Sequence, residues 1–219
     1  MGADGGSAVD TFPLLQNLQL DRRLLLWLSG ALLVGAAPGW AAPTEQRAGA
    51  VEDVLGSAFA ETGAQRRILA TQTPIFIGDQ VATETRSRLT ARLGQSTTLR
   101  LGELARVRID RFLANAGGVI SLRAGAVFFD GPGEGARPQL QIRSPYGSIA
   151  VRGTRFFAGP SNNVFGVFVE SGSVVVSGAG RSVRVRAGEG TDIARPGARP
   201  TPPKVWGPPR VRAALDSVR

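Results

Sequence analysis

The feature that most constrains this chain is a period-two alternation that is interrupted again and again. Leu89, Ala91 and Leu93 alternate with Arg88, Thr90 and Arg92; Leu99 and Leu101 alternate with Thr98 and Arg100; Val107 and Ile109 stand against Arg106, Arg108 and Asp110. Successive side chains of an extended strand point to opposite faces, so each run can bury one face and wet the other. The device continues through Ile120 and Leu122, Val127 with Phe128, Leu140 and Ile142, Ile149 and Val151, then Phe165, Val167 and Val169, Val174 and Val176, and Val183 and Val185. Helical spacing is nearly absent from residue 48 to 194.

Each run ends in turn chemistry. Gly117-Gly118, Gly125, Gly131-Pro132-Gly133, Pro145-Tyr146-Gly147, Gly153 and Ser171-Gly172-Ser173 supply either backbone freedom or a fixed φ. A weaker alternation through Val51, Val54, Phe59 and Leu69, with Glu61-Thr62-Gly63-Ala64 between, predicts a first hairpin. About a dozen short strands at this spacing predict an all-β fold, a single antiparallel β-sandwich or jelly-roll-like domain. A β-solenoid uses the same short strands and glycine turns and stays open as the alternative; the unequal spacing of the runs favours the sandwich.

The two ends read differently. Arg22 and Arg23 precede the apolar run Leu24 to Val34, and small residues follow to Gly39-Trp40-Ala41. A charged start, an apolar centre and a small-residue site are the parts of a secretory signal peptide. The apolar run is shorter than the ~20 residues of a membrane span, so cleavage is favoured over a retained anchor. Cleavage after about Ala41 is expected, giving a periplasmic protein that meets the membrane only through its export signal. At the other end, the run from Arg195 to Pro203 is stiff and proline-rich, and Val211, Ala214, Leu215 and Val218 recur at helical spacing. The expected organisation is a signal peptide over 1–41, a β domain over 42–194, a linker over 195–208 and a short helical tail over 209–219.

Composition removes most catalytic machinery. The 219 residues include no cysteine and no histidine, which excludes thiol nucleophiles, disulfides, histidine-based triads and nearly all zinc, copper and haem ligand sets. The formal net charge is +9, carried by arginine with Lys204 the sole lysine. Because the chain is also rich in alanine and glycine, this usage fits a GC-rich genome and does not point to nucleic acid. A solvated basic surface, or one that meets anionic envelope polymers or lipid head groups, is expected instead.

Among individual residues, Arg152-Gly153-Thr154 offers a guanidinium fork and a hydroxyl beside a glycine bend, a pattern suited to carboxylate or phosphate. The competing structural reading makes Gly153 a bulge or bend and pairs Arg152 with a neighbouring strand. Arg143 and Tyr146 join Arg152 and Thr154 as candidate ligand- or partner-binding residues. Gly78, Asp79, Gly147, Gly153 and Gly172 are expected as structural turn residues, Asp79 capping its own turn rather than holding a metal. Ser144-Pro145-Tyr146-Gly147 has no neighbouring base to activate its serine. No catalytic residue, metal or cofactor is expected.

Several of these segments together resemble a known family. Gly78-Asp79-Gln80-Val81 with Thr83, Ser87-Arg88-Leu89, the run Ile142 to Phe156 with its Val151-Arg152-Gly153-Thr154-Arg155-Phe156 core, Val169-Glu170-Ser171-Gly172-Ser173-Val174 and Ala187-Gly188-Glu189-Gly190 resemble the FecR-type periplasmic domain. The resemblance spans roughly residues 48 to 194. It implies an extracytoplasmic all-β domain of the kind found in transmembrane regulators that relay an outer-membrane signal to a sigma factor. Such regulators carry a cytoplasmic helical region and a membrane helix ahead of the domain, where this sequence has only a short prefix and a signal peptide, so a free-standing exported form is expected. The expected function is non-catalytic binding of an envelope protein or anionic polymer, in signalling or envelope organisation, with no nucleic acid involved. Two other readings remain open: a carbohydrate-binding or carbohydrate-active envelope protein, and an assembly protein whose strands over residues 164–176 add to a partner's sheet edge.

Overall fold

The computed structural model describes residues 46–113, 117–132, 140–151 and 153–219. In chain order the strands are β1 (Arg47–Leu55), β2 (Ala58–Thr62), β3 (Gln65–Ile68), β4 (Pro74–Phe76), β5 (Gln80–Thr83), β6 (Arg88–Leu93), β7 (Thr97–Leu101), β8 (Arg106–Leu113) and β9 (Gly117–Ala124). They continue as β10 (Val127–Asp130), β11 (Leu140–Ser144), β12 (Gly147–Val151), β13 (Arg155–Ser161), β14 (Val164–Ser171), β15 (Ser173–Gly178), β16 (Arg181–Arg186), β17 (Glu189–Ile193) and β18 (Lys204–Val205), followed by helix α1 (Pro208–Asp216). The fold is all-β with one short C-terminal helix, as the alternation predicts.

The strands form two nine-stranded sheets. One runs β4-β1-β6-β7-β10-β13-β14-β17-β18, the other β3-β2-β5-β8-β9-β11-β12-β15-β16. Apart from the outermost pair in each, spatial order follows chain order, because the chain feeds one sheet and then the other as it advances. The result combines the two layers of a sandwich with the steady progress of a winding. Pairing is antiparallel except between β9 and β11, where Ile142 lies opposite Ile120 in a parallel register. The chain leaves for the other sheet as β10 between those two strands, so β11 re-enters running the same way.

The inner faces of both sheets meet in one core. Leu89, Leu93 and Leu101 from the first sheet face Val107, Ile109, Ile120, Leu122, Ile142 and Ile149 from the second, each at most 2% exposed. Burying each such side chain contributes about 1.5–3 kcal/mol, which lets an aliphatic core carry a chain poor in aromatic residues.

The first sheet is also covered on its outer face. Val127 and Phe129, Phe156 and Ala158, and Val167 and Val169 point into the main core, while the residues between them, Phe128, Phe157 and Phe168, point the other way into a second cluster. These three phenylalanines lie side by side across β10, β13 and β14, and Gly190 of β17 ends the row. Trp206, Ala214, Leu215 and Val218 close over them. The Trp206 ring stacks on Phe168 with centroids 5.3 Å apart. It reaches the sheet only because of a glycine there: a Cβ on Gly190 would stand 2.2 Å from the indole nitrogen. Helix α1 starts at Gly207 with Pro208 and Pro209 in its first turn, where the missing N–H groups cost nothing, and it lies against β13. The proline-rich run therefore leads into a tail that is packed on the first sheet.

Candidate functional site

The turn residues singled out in the sequence are placed by clear physical demands. Gly78, Gly147, Gly153 and Gly172 have φ of +94°, +139°, +59° and +81°, backbone that a side chain disfavours. Gly147 is crowded as well, since a Cβ there would lie 2.3 Å from the Ser177 carbonyl oxygen. Asp79 is fully buried. Its carboxylate accepts the Phe76 backbone N–H at 2.9 Å, capping its own turn, and also accepts from the Thr62 hydroxyl and from the Arg67 guanidinium, the last at 2.6 Å. Asp79 thus ties the β2–β3 hairpin to the turn between β4 and β5.

The four candidate contact residues do not converge on one cleft. Tyr146 and Thr154 stand beyond opposite ends of β12. Thr154 is buried and donates its hydroxyl to the Ser173 carbonyl at 2.9 Å. Arg143 is exposed on β11 and donates to the Gln141 side-chain oxygen at 3.2 Å. Arg152 lies outside the described residues.

Tyr146 borders a cavity of about 390 Å3 at one end of the layered sheets, lined also by Leu122, Arg123, Pro160, Asn163 and Phe165. The Tyr146 and Phe165 rings stack with centroids 4.4 Å apart and planes 9° from parallel. Asn162 and Asn163, both at positive φ, make the tight β13–β14 turn at its rim, a conformation asparagine tolerates. Its lining is apolar with a single cation, Arg123, and no carboxylate among the described residues.

The second extended feature is the outer face of the second sheet, which sequence inspection found only strand by strand. Cross-strand register builds two straight rows over it. In one, Arg108, Ser121, Arg143, Ser148, Ser177 and Ser182 lie side by side on six neighbouring strands. In the next, Arg111, Val119, Gln141, Ala150, Val175 and Arg184 do the same. The rows carry guanidinium groups at Arg108, Arg111, Arg143 and Arg184, and small or uncharged side chains between them.

Sheet edges bear on the assembly reading. β14 is paired on both sides, by β13 and β17, and β15 on both sides, by β12 and β16. Residues 164–176 therefore present no free edge, and the expectation that they add to a partner's sheet is corrected: their backbone groups are already spent. The outermost strands are β4 and β18 of one sheet and β3 and β16 of the other.

These features define a wound two-sheet β domain with one face covered by its own tail and the other open and basic. Within it, residues 79–175 match the model of the FecR protein family. Two crystal structures of a protein from Parabacteroides distasonis ATCC 8503, provisionally designated an anti-sigma factor, share the fold at 16% identity and a TM-score of 0.52. The match covers 62% of this chain and 64% and 63% of those chains, less than two thirds of their length. Comparison with curated protein sequences gives no match. Among the described residues no helix is long and apolar enough to cross a membrane.

Proposed function

We propose that this protein is an exported, non-catalytic FecR-type domain that binds a partner in the bacterial envelope and acts in signalling or envelope organisation. The FecR match over residues 79–175 carries the reading. Export is supported by the sequence alone: Arg22 and Arg23, the apolar run to Val34 and the small-residue site at Ala41. In this reading the mature chain begins near Ala42 and is periplasmic. Its β domain runs to about residue 194, and the linker and helical tail after it fold back on the first sheet. Partner contact falls to the open face, where Arg143 lies, with Tyr146, Arg152 and Thr154 as further candidate contacts.

The test is crosslinking in intact cells followed by capture of the tagged protein and mass spectrometry of its N-terminus and its partners. An N-terminus near Ala42 with an envelope component attached is the expected result. An intact chain beginning at Met1, recovered from the cytoplasm without a partner, overturns the reading.

A further inference from the structure

On the first sheet and its tail Arg92 pairs with Glu52, Arg155 with Asp130 at 3.3 Å and Glu170 at 3.1 Å, and Arg210 with Asp192 at 2.6 Å, while Arg47, Arg88 and Arg100 have no carboxylate partner among the described residues. At one end of the second sheet Arg66 pairs with Glu84 at 3.3 Å and Arg67 with the buried Asp79 at 2.6 Å. On the outer face of the second sheet Arg106, Arg111, Arg143, Arg184 and Arg186 have no carboxylate partner among the described residues. The acids on that face are already engaged, Asp110 by the Ser121 hydroxyl and by Arg108 at 3.5 Å, and Glu61 by the Gln80 amide at 3.3 Å. Five guanidinium groups without a carboxylate partner leave this face with an excess of positive charge.

We infer that the outer face of the second sheet is a docking surface for a linear acidic polysaccharide, a carboxylated chain laid across the strands. The inference rests on the envelope location proposed above. Neighbouring strands are roughly 4.8 Å apart, so Arg108 and Arg143, two strands apart in one row, are spaced by about 9.6 Å. The second row lies about 7 Å away along the strands, two residues on. Guanidinium groups fork carboxylates bidentately, and the Ser148, Ser177 and Ser182 hydroxyls continue the row of Arg143 as partners for sugar hydroxyls. Apart from Arg143, the four inner strands of the rows hold only Ser, Ala, Val and Gln there, so a chain can lie along them. No large apolar side chain stands among the rows to enter a lipid layer, which sets this surface apart from a membrane-binding one.

The test is binding of the purified full chain to polygalacturonate, with dextran as the neutral polymer and with polyphosphate and phosphatidylglycerol vesicles as other polyanions. Wild type is expected to bind polygalacturonate more tightly than any of the three. The R143Q/R184Q and R108Q/R143Q variants are expected to lose about tenfold or more in affinity and to show a shallower salt dependence, while R92Q/R155Q on the other sheet binds as wild type. Unchanged binding in both face variants, equal binding of dextran, or preference for polyphosphate or vesicles overturns the inference. None of these outcomes bears on the export and partner capture proposed above, so the two can fail separately.

Discussion

Arg210 holds its guanidinium 3.6 Å above the centre of the Trp206 ring while donating to the Asp192 carboxylate at 2.6 and 3.2 Å. The indole is thereby clamped between a cation and the glycine floor of the first sheet, and Arg210 also donates to the Ser161 hydroxyl at 3.0 Å. Cation–π contact, ion pair and apolar burial act on one side chain, so the last residues of the chain are anchored at a single point.

Trp206→Ala is expected to cost about 3 kcal/mol or more, the usual range for removing a buried tryptophan. Gly190→Ala is expected to act through the same ring, because its Cβ would stand 2.2 Å from the indole nitrogen. Urea denaturation of the two single variants and the double variant tests this. Gly190→Ala should cost far less when Trp206 is already alanine; simple additivity would show that the glycine serves something else.

Asp79 and Arg155 both make ion pairs, but at different depths. Asp79 is fully buried and accepts from Thr62, Arg67 and the Phe76 N–H, so Asp79→Ala leaves three part-buried donors without their acceptor and should destabilise by about 3 kcal/mol. Arg155 is 47% exposed, and Arg155→Gln should change stability by about 1 kcal/mol or less. Thermal midpoints of the two variants measure the contrast, and similar values would contradict it.

How much of this could be read from the sequence follows from which interactions are local. The strands around Leu89 to Leu93 and Leu99 to Leu101 were legible because alternation and burial are the same fact seen twice. Gly78, Gly147 and Gly172 were legible because tight turns demand their backbone freedom. Val127-Phe128-Phe129 and Phe156-Phe157-Ala158 were harder, since a strand buried on both faces has no polar alternation to reveal it. The role of Trp206 was hidden altogether: its seat is made by Gly166 and Gly190, and its clamp needs Asp192 and Ser161, residues whose proximity only the register of the sheet decides. The arginine rows share that cause, because Arg108, Arg143 and Arg184 become neighbours only when their strands pair.

Gly147 joins the β11–β12 turn to β15 at close quarters. Gly147→Ala forces a side chain into φ of +139° and to within 2.3 Å of the Ser177 carbonyl, so a loss of about 2 kcal/mol is expected, beyond an ordinary glycine-to-alanine change. Faster amide exchange at Ser177 and in β15, measured by hydrogen–deuterium exchange, would place the strain there; exchange unchanged in β15 would count against it.

The tail supplies the last prediction. Phe128, Phe157 and Phe168 form a row on the outer face of the first sheet, and Trp206, Ala214, Leu215 and Val218 are what cover it. A chain ending at Pro203 keeps every strand of the main core but uncovers that row, and contiguous apolar patches of this kind promote association. The shortened protein is expected to retain its far-ultraviolet β signal, bind a hydrophobic dye and self-associate at concentrations where the full chain is monodisperse. Light scattering and dye fluorescence read both effects. A shortened chain as stable, dye-free and monodisperse as the original would make the tail an appendage and place the end of the folded domain near residue 194, so the two outcomes decide where this domain stops.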